Sequence, residues 1–129
     1  MEARMTHYVH GVIAYMDNIG HSTNIEILEH LQQTYPSLTA TTVHRITTRL
    51  IKRGMLAAAP VSKSNAMRFD VNTNPHDHFQ CSNCDMLRDT TIADKIRPIL
   101  ETSIGDGCQI SGNLVITGLC KKCNKENHK

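Results

Sequence analysis

A chain of 129 residues is long enough for one ordinary domain, or for two small ones that each need support from outside their own core. Its 40% hydrophobic and 20% charged residues, with no Trp and no Gly-, Pro- or Ser-rich tract, exclude a disordered or fibrous chain and describe a folded one with a modest core. A formal net charge of +2 excludes nucleic-acid binding by bulk charge alone, and the lack of any apolar run near the roughly 18 residues of a membrane span, or of an apolar segment in "MEARMTHYVH", predicts a cytoplasmic protein without a membrane partner.

In chain order, Met5, Tyr8, Val9, Val12, Ile13, Met16 and Ile19 recur at three- and four-residue steps and predict an amphipathic helix ending near Asn18 to Gly20. Ser22 or Asn24 is expected to cap a second helix that carries Ile25, Leu28 and Leu31 and stops at Pro36. Thr39 is placed to cap a third, with Val43, Ile46 and Leu50 on one face and Gly54 at its end. The runs "MLAAAP" and "AMRFDVN" around "VSKSN" predict a β-hairpin. Three short helices and a hairpin are the plan of a winged helix-turn-helix domain, whose third helix reads DNA. Its outward Thr41, Thr42, His44, Arg45, Thr48, Arg49 and Lys52 suit phosphate oxygens and base edges.

Polar "VNTNPH" marks a linker and divides the chain into residues 1–72 and 73–129. The second part reads as strands at "HFQC" and "MLRDTT", a helix from about Ala93 to Ile104, a strand along "CQISGNLVITGLC" and a solvated basic tail, Lys121 to Lys129. So few large apolar groups call for a metal, a partner subunit or both. The expected class is α+β: an N-terminal winged helix-turn-helix domain followed by a small α/β domain built around four cysteines.

Those cysteines, Cys81-Ser-Asn-Cys84 and Cys120-Lys-Lys-Cys123, are two C-x2-C knuckles separated by 35 residues, the pattern of a tetrahedral structural zinc. A redox dithiol and a rubredoxin-like iron site are the alternatives. The redox case is disfavoured because both pairs are expected at strand ends rather than at a strand-to-helix junction. Cys108 is expected to be a buried or neutral thiol. Asp70, His76 and His78 offer one carboxylate and two imidazoles, a set suited to iron(II), manganese(II) or zinc unless they are simply exposed linker residues. His7, His10, His30 and His128 read as solvated or packing histidines.

The stretches "SLTATTVHRITTRLIKRGML", "RFD", "HDHFQCSNC" and "ITGLCKKCNKENH" together resemble the ferric uptake regulator family of bacterial metal-dependent repressors, and within it the peroxide-sensing PerR branch, over nearly the whole chain. The resemblance implies structural zinc at Cys81, Cys84, Cys120 and Cys123, and regulatory iron or manganese at His21, Asp70, His76, His78 and Asp89. Iron sensors of the family usually carry Glu where Asp70 and Asp89 stand, and peroxide sensors carry Asp. Also implied are a homodimer that binds double-stranded operator DNA when its regulatory site is filled, hydrogen peroxide as the signal, and His21 and His76 as the ligands oxidised by iron. Such one-shot self-modification does not make the chain an enzyme.

The chain departs from the family at "THYV" (Thr6 to Val9) in place of "TPQR", and it begins close to that segment, where relatives have a further helix. His44 replaces a usual Tyr, Thr47 an apolar residue, and Pro75 a His often found in iron sensors, although Asp77 is retained. These differences bear on DNA contacts more than on metal ligands. Competing functions are an iron-, zinc- or manganese-responsive repressor without peroxide sensing, a zinc-stabilised interaction or metal-buffering protein with weakened DNA binding, and, last, a thiol oxidoreductase.

Overall fold

The computed structural model describes residues 2–90 and 93–127, which form two compact units meeting between Thr73 and Asn74. The first contains α1 (Glu2–Ile19), β1 (His21–Thr23), α2 (Asn24–Leu31), α3 (Ala40–Lys52), β2 (Ala57–Ala59) and β3 (Arg68–Asp70). Its core follows the helical periods of the sequence: Tyr8, Val12 and Met16 from α1, Ile27 and Leu31 from α2, and Val43, Ile46 and Leu50 from α3 close around Phe69. Each such side chain contributes about 1.5–3 kcal/mol by leaving water. Helices α2 and α3 make the helix-turn-helix, and β2 with β3 makes the wing.

A third strand, β1, was not expected. It pairs antiparallel with β3, giving the sheet order β1-β3-β2. Three residues are too few to show a period, so only the tertiary pairing reveals it. Its presence moves the cap of α2 to Thr23, not Ser22 or Asn24. The Thr23 hydroxyl accepts from the Glu26 backbone N–H at 3.2 Å while the Glu26 carboxylate accepts from the Thr23 N–H at 3.0 Å, because Thr23 alone has an acid three residues on. Helix α2 also ends at Leu31, well before Pro36, where the Tyr35 N–H donates back to the Leu31 carbonyl at 2.8 Å. Thr39 caps α3, its hydroxyl accepting from the Thr42 N–H at 3.3 Å. Buried Arg68 closes the wing by donating to the carbonyls of Pro60 and Val61 at 2.9 and 3.1 Å.

The second unit contains β4 (Asp77–Cys81), β5 (Leu87–Thr90), α4 (Ala93–Ile104), β6 (Val115–Gly118) and α5 (Lys121–Asn127). Strand β4 is central, antiparallel to β5 and parallel to β6. The long final strand shrinks to β6. Residues 108–114 are irregular, and two of their N–H groups are taken by side chains: Ile110 donates to Glu101 at 2.7 Å and Leu114 to Asp77 at 2.6 Å. Gly105, Gly107 and Gly112, all at positive φ, permit that path. The basic tail is helical over Lys121–Asn127, with Lys121, Lys122 and Lys125 exposed to solvent as expected and Cys123 buried. Cys108, expected to be buried or neutral, is exposed. Among the described residues no helix is long and apolar enough to cross a membrane.

Asp77 braces this unit. Its Oδ1 accepts from Arg97 of α4 at 3.0 Å as well as from Leu114, and Arg97 donates also to the Gly112 carbonyl at 2.7 Å. Asp77 is 2% exposed, so removing Arg97 would strand a buried carboxylate. Arg97→Ala is expected to destabilise the zinc-loaded protein by about 3 kcal/mol, and much less in an Asp77→Asn background. Urea unfolding of the four proteins of that double-mutant cycle checks it; equal losses in both backgrounds would show that the pair is not coupled.

Candidate metal centres and DNA face

Two knuckles bring the four sulfurs together. Cys81 ends β4, and the chain turns back through Asp85 at φ +71, whose N–H donates to the Cys81 carbonyl at 3.0 Å, so that Cys84 faces the same way. Parallel pairing of Cys81 with Gly118 carries the chain from β6 to Cys120 and Cys123 at the start of α5. The second knuckle does therefore lie at a strand-to-helix junction, contrary to expectation. What opposes a lone redox dithiol is that all four sulfurs lie within 4.8 Å of one another and none is in a disulfide.

The Cys84 and Cys120 sulfurs are 3.7 Å apart, against an edge of about 3.8 Å for a tetrahedron with zinc–sulfur bonds of about 2.3 Å. The Cys81 sulfur accepts the N–H groups of Cys84 and Cys120, both at 3.4 Å, and Asn83 donates to Cys123 at 3.3 Å. These donors split the thiols. The N–H groups of Cys84 and Cys120 outweigh burial and lower Cys81 to about 6, and the N–H of Cys123 leads the lowering of Cys120. For Cys123 the Asn83 amide pulls downward, but Cys120, burial and the other two thiols together push it up to about 12. Cys84 is likewise raised: the Met86 N–H opposes the shift, and Cys81, burial and Cys120 outweigh it. Cys81 and Cys120 are thus shifted toward the thiolate and Cys84 and Cys123 toward the thiol. Four converging soft donors of this kind fit zinc.

The mixed oxygen and nitrogen donors form one set in each unit. In the first, antiparallel register puts His21 of β1 directly opposite Asp70 of β3, with Nε2 3.3 Å from Oδ2. Asp70 is 2% exposed, and its Oδ1 accepts from the Asn72 N–H at 2.8 Å, which fixes the carboxylate. In the second unit, register sets His78 of β4 opposite Asp89 of β5, and Asp89 Oδ1 lies 3.3 Å from Nε2 of both His76 and His78. The two rings are 4.3 Å apart. His76 Nδ1 lies 2.7 Å from the Asn74 carbonyl, so this nitrogen carries a proton and Nε2 presents the lone pair. Lone pairs and a carboxylate pointed at one another are mutually repulsive without a cation or proton between them. Both sets fit a divalent metal such as iron or manganese.

On α3, His44, Arg45, Thr48, Arg49 and Lys52 line an open groove of about 350 Å³. Thr41 is exposed beside them. Thr42 is half-buried and engaged with the cap, its hydroxyl accepting from Thr39 at 3.0 Å. Of the histidines read as bland, His7 and His10 are exposed, His30 stacks on Tyr15 at 4.5 Å, and His128 lies outside the described residues. Sequence reasoning missed Arg97 and Asn24, whose side-chain partners lie 20 or more residues away. No local signal marks them.

The model of the ferric uptake regulator family matches residues 1–111. The peroxide operon regulator of Bacillus subtilis (strain 168) is 28% identical over 130 aligned positions, covering 97% of this chain and 88% of the relative. Among solved structures, the Helicobacter pylori ferric uptake regulator superposes with a TM-score of 0.72 at 20% identity, over 91% of this chain and 79% of that one. The Campylobacter jejuni peroxide stress regulator does so with 0.67 at 23% identity, over 95% and 93%. At these identities the structural likenesses speak for the fold.

Zinc binding to the four sulfurs should release fewer than four protons at pH 7.5, because Cys81 is already a thiolate there. The count should rise toward four as the pH falls through about 6 and Cys81 becomes protonated, with affinity falling in the same direction. Calorimetric zinc titrations in buffers of different ionisation enthalpy measure the count; four protons at both pH values would contradict it.

Proposed function

The chain belongs to the ferric uptake regulator family, whose members are metal-responsive transcription regulators rather than enzymes, and on that premise we propose that it is a peroxide-sensing repressor. In this proposal structural zinc sits at Cys81, Cys84, Cys120 and Cys123. Iron or manganese held by His21, Asp70, His76, His78 and Asp89 sets the conformation in which a homodimer binds operator DNA in the cytoplasm. The single observation that carries it is the donor chemistry: in each unit strand register sets an imidazole at 3.3 Å from an aspartate, with Asp at both acid positions. The Bacillus subtilis relative, named for peroxide control, adds support.

If one ion draws on both sets, filling it restricts the motion of one unit against the other. In a dimer that would fix the spacing of two α3 helices to half-sites roughly one turn of DNA apart. Apolar groups left exposed in the second unit, Ile99 and Ile104 on α4 and Val115 and Ile116 on the edge strand β6, suit burial against a second copy. His44, Arg45, Arg49 and Lys52 supply the donors and positive charge that DNA requires.

Iron(II) held by these five residues would supply the one-electron chemistry that splits the peroxide O–O bond and would recover that electron as the ring is oxidised, whereas manganese(II) on the same donors would not. His21 and His76 are the proposed targets. Oxidation at the ring carbon between the two nitrogens adds one oxygen, the other leaving as water, and both nitrogens then carry protons. A ring in that state has no lone pair to offer, so the donor set fails and DNA is released.

The test is to load the zinc form anaerobically with iron(II), add a small excess of hydrogen peroxide, and analyse peptides by mass spectrometry. A gain of one oxygen on the peptides holding His21 or His76, absent from a manganese-loaded control and accompanied by loss of DNA binding, is the expected result. Unmodified histidines with iron bound would leave a metal-responsive regulator and overturn peroxide sensing.

A further inference from the structure

Two departures from the family pattern, His44 and Thr47, meet at a third residue that no motif contains. Thr47 faces inward from α3 and is 0% exposed, yet it is polar. Its hydroxyl lies 2.9 Å from Oδ1 of Asn24, the first residue of α2, and 3.2 and 3.1 Å from the carbonyls of Val43 and His44 in its own helix. Asn24 Nδ2 lies 3.4 Å from Nδ1 of His44. Donation runs one way along this chain: Thr47 O–H to Asn24 Oδ1, then Asn24 N–H to His44 Nδ1.

We infer that Asn24 and Thr47 are positioning residues that aim His44 as a base-reading donor, a specificity device of α3 that rests on the DNA-binding role proposed above. An Nδ1 that accepts a hydrogen bond leaves the ring proton on Nε2, at the far side of the imidazole. His44 is exposed and lines the groove with Arg45, Thr48, Arg49 and Lys52, so that Nε2–H is the atom presented outward. A lone N–H donor in the major groove pairs with an acceptor: guanine N7 or O6, adenine N7 or thymine O4. It cannot pair with the amino group of cytosine. His44 therefore disfavours cytosine at one position of each half-site, while Arg45, Arg49 and Lys52 supply affinity that depends little on sequence.

Packing alone does not require this arrangement. The single Thr47 hydroxyl proton has the Val43 and His44 carbonyls as alternative acceptors within its own helix, and Val would fill the same space without a polar atom. The Asn24 link adds orientation to a ring that would otherwise rotate freely at the surface.

The test uses the full chain loaded with zinc and manganese, incubated with duplexes carrying a randomised core of about 24 base pairs, enough for two half-sites, and sequences the bound fraction. Wild type, Asn24→Ala, Thr47→Val, His44→Ala and Arg49→Ala are compared, with thermal melts to establish that each is folded. In wild type cytosine should be depleted about 10-fold at one position per half-site. That depletion should disappear in His44→Ala and fall to about 2-fold or less in Asn24→Ala, with Thr47→Val between it and wild type and the other positions unchanged in all three. Arg49→Ala should weaken binding to every sequence alike and keep the depletion. Ring nitrogen chemical shifts should put the wild-type His44 proton on Nε2. Undiminished depletion in folded Asn24→Ala and Thr47→Val, or a proton on Nδ1, would overturn the aiming role, and undiminished depletion in His44→Ala would overturn base reading. Wild type that enriches no sequence in a metal-dependent way would remove the repressor proposal itself, and this inference with it.

Discussion

Convergence of four sulfurs is the constraint on which the second unit depends. Among the described residues its fully buried members are Asp77, His78, Cys81 and Cys123. None of these is a conventional core residue. Strand β4 runs straight from Cys81 back through His78 and Asp77 to the His76 turn, so whatever holds the knuckle also holds these side chains in register. Burying a thiol cluster and a carboxylate does not stabilise a fold of this size, whereas structural zinc contributes apparent binding energies on the order of 10–16 kcal/mol in small domains. The first unit needs no such help, because eleven buried side chains from three helices, the segments around them and β3 give it an ordinary apolar core.

Antiparallel register is the device that both units use to prepare a donor set. His21 stands opposite Asp70, and His78 opposite Asp89. A slip of one residue in either ladder would turn one member of the pair to the other face of the sheet and leave the donors apart. The register is guarded in each case. Phe69, packed in the first core, lies beside Asp70 on β3, and the Asp77 to Arg97 brace lies beside His78 on β4. Structural residues and candidate ligands alternate along the same short strands. That alternation is why the ligands can be short and still fixed.

Much of this was legible in the sequence, for reasons that can be named. The helices of the first unit declare themselves because Tyr8, Val12 and Met16, or Val43, Ile46 and Leu50, repeat at the period of a helix that buries one face. The four cysteines declare themselves by spacing and by the chemistry of sulfur. Strand β1 did not, since three residues carry no period, and neither did α5, where among the residues whose burial is described Cys123 alone is buried. The alternation through residues 108–118 resembles a strand over its whole length, but Glu101 and Asp77 claim the N–H groups that a strand would need. Thr23 was legible as a cap from Glu26 three residues on, and proximity to two other polar residues obscured it. His21 and Asp89 entered the candidate set only by resemblance. Each is distant in sequence from the residue it faces, and only strand register brings the two together.

The path from candidate ligand to DNA face is short and stiff. His21 is held to Asp70, Ser22 pairs with Phe69 in the ladder, Thr23 is locked by its capping box, and Asn24 begins the helix from which it reaches Thr47 and His44. Four consecutive residues, 21–24, therefore link a candidate metal donor to the proposed base reader. Losing His21 as a donor leaves the capping box, the α2 to α3 packing and the ring contact of His44 intact, because none of them uses the imidazole of His21. The recognition surface is thus preformed within its own unit. Any dependence of DNA binding on metal has to arise outside that surface, from what the ion does to the chain beyond Asp70 and not from whether α3 is correctly built.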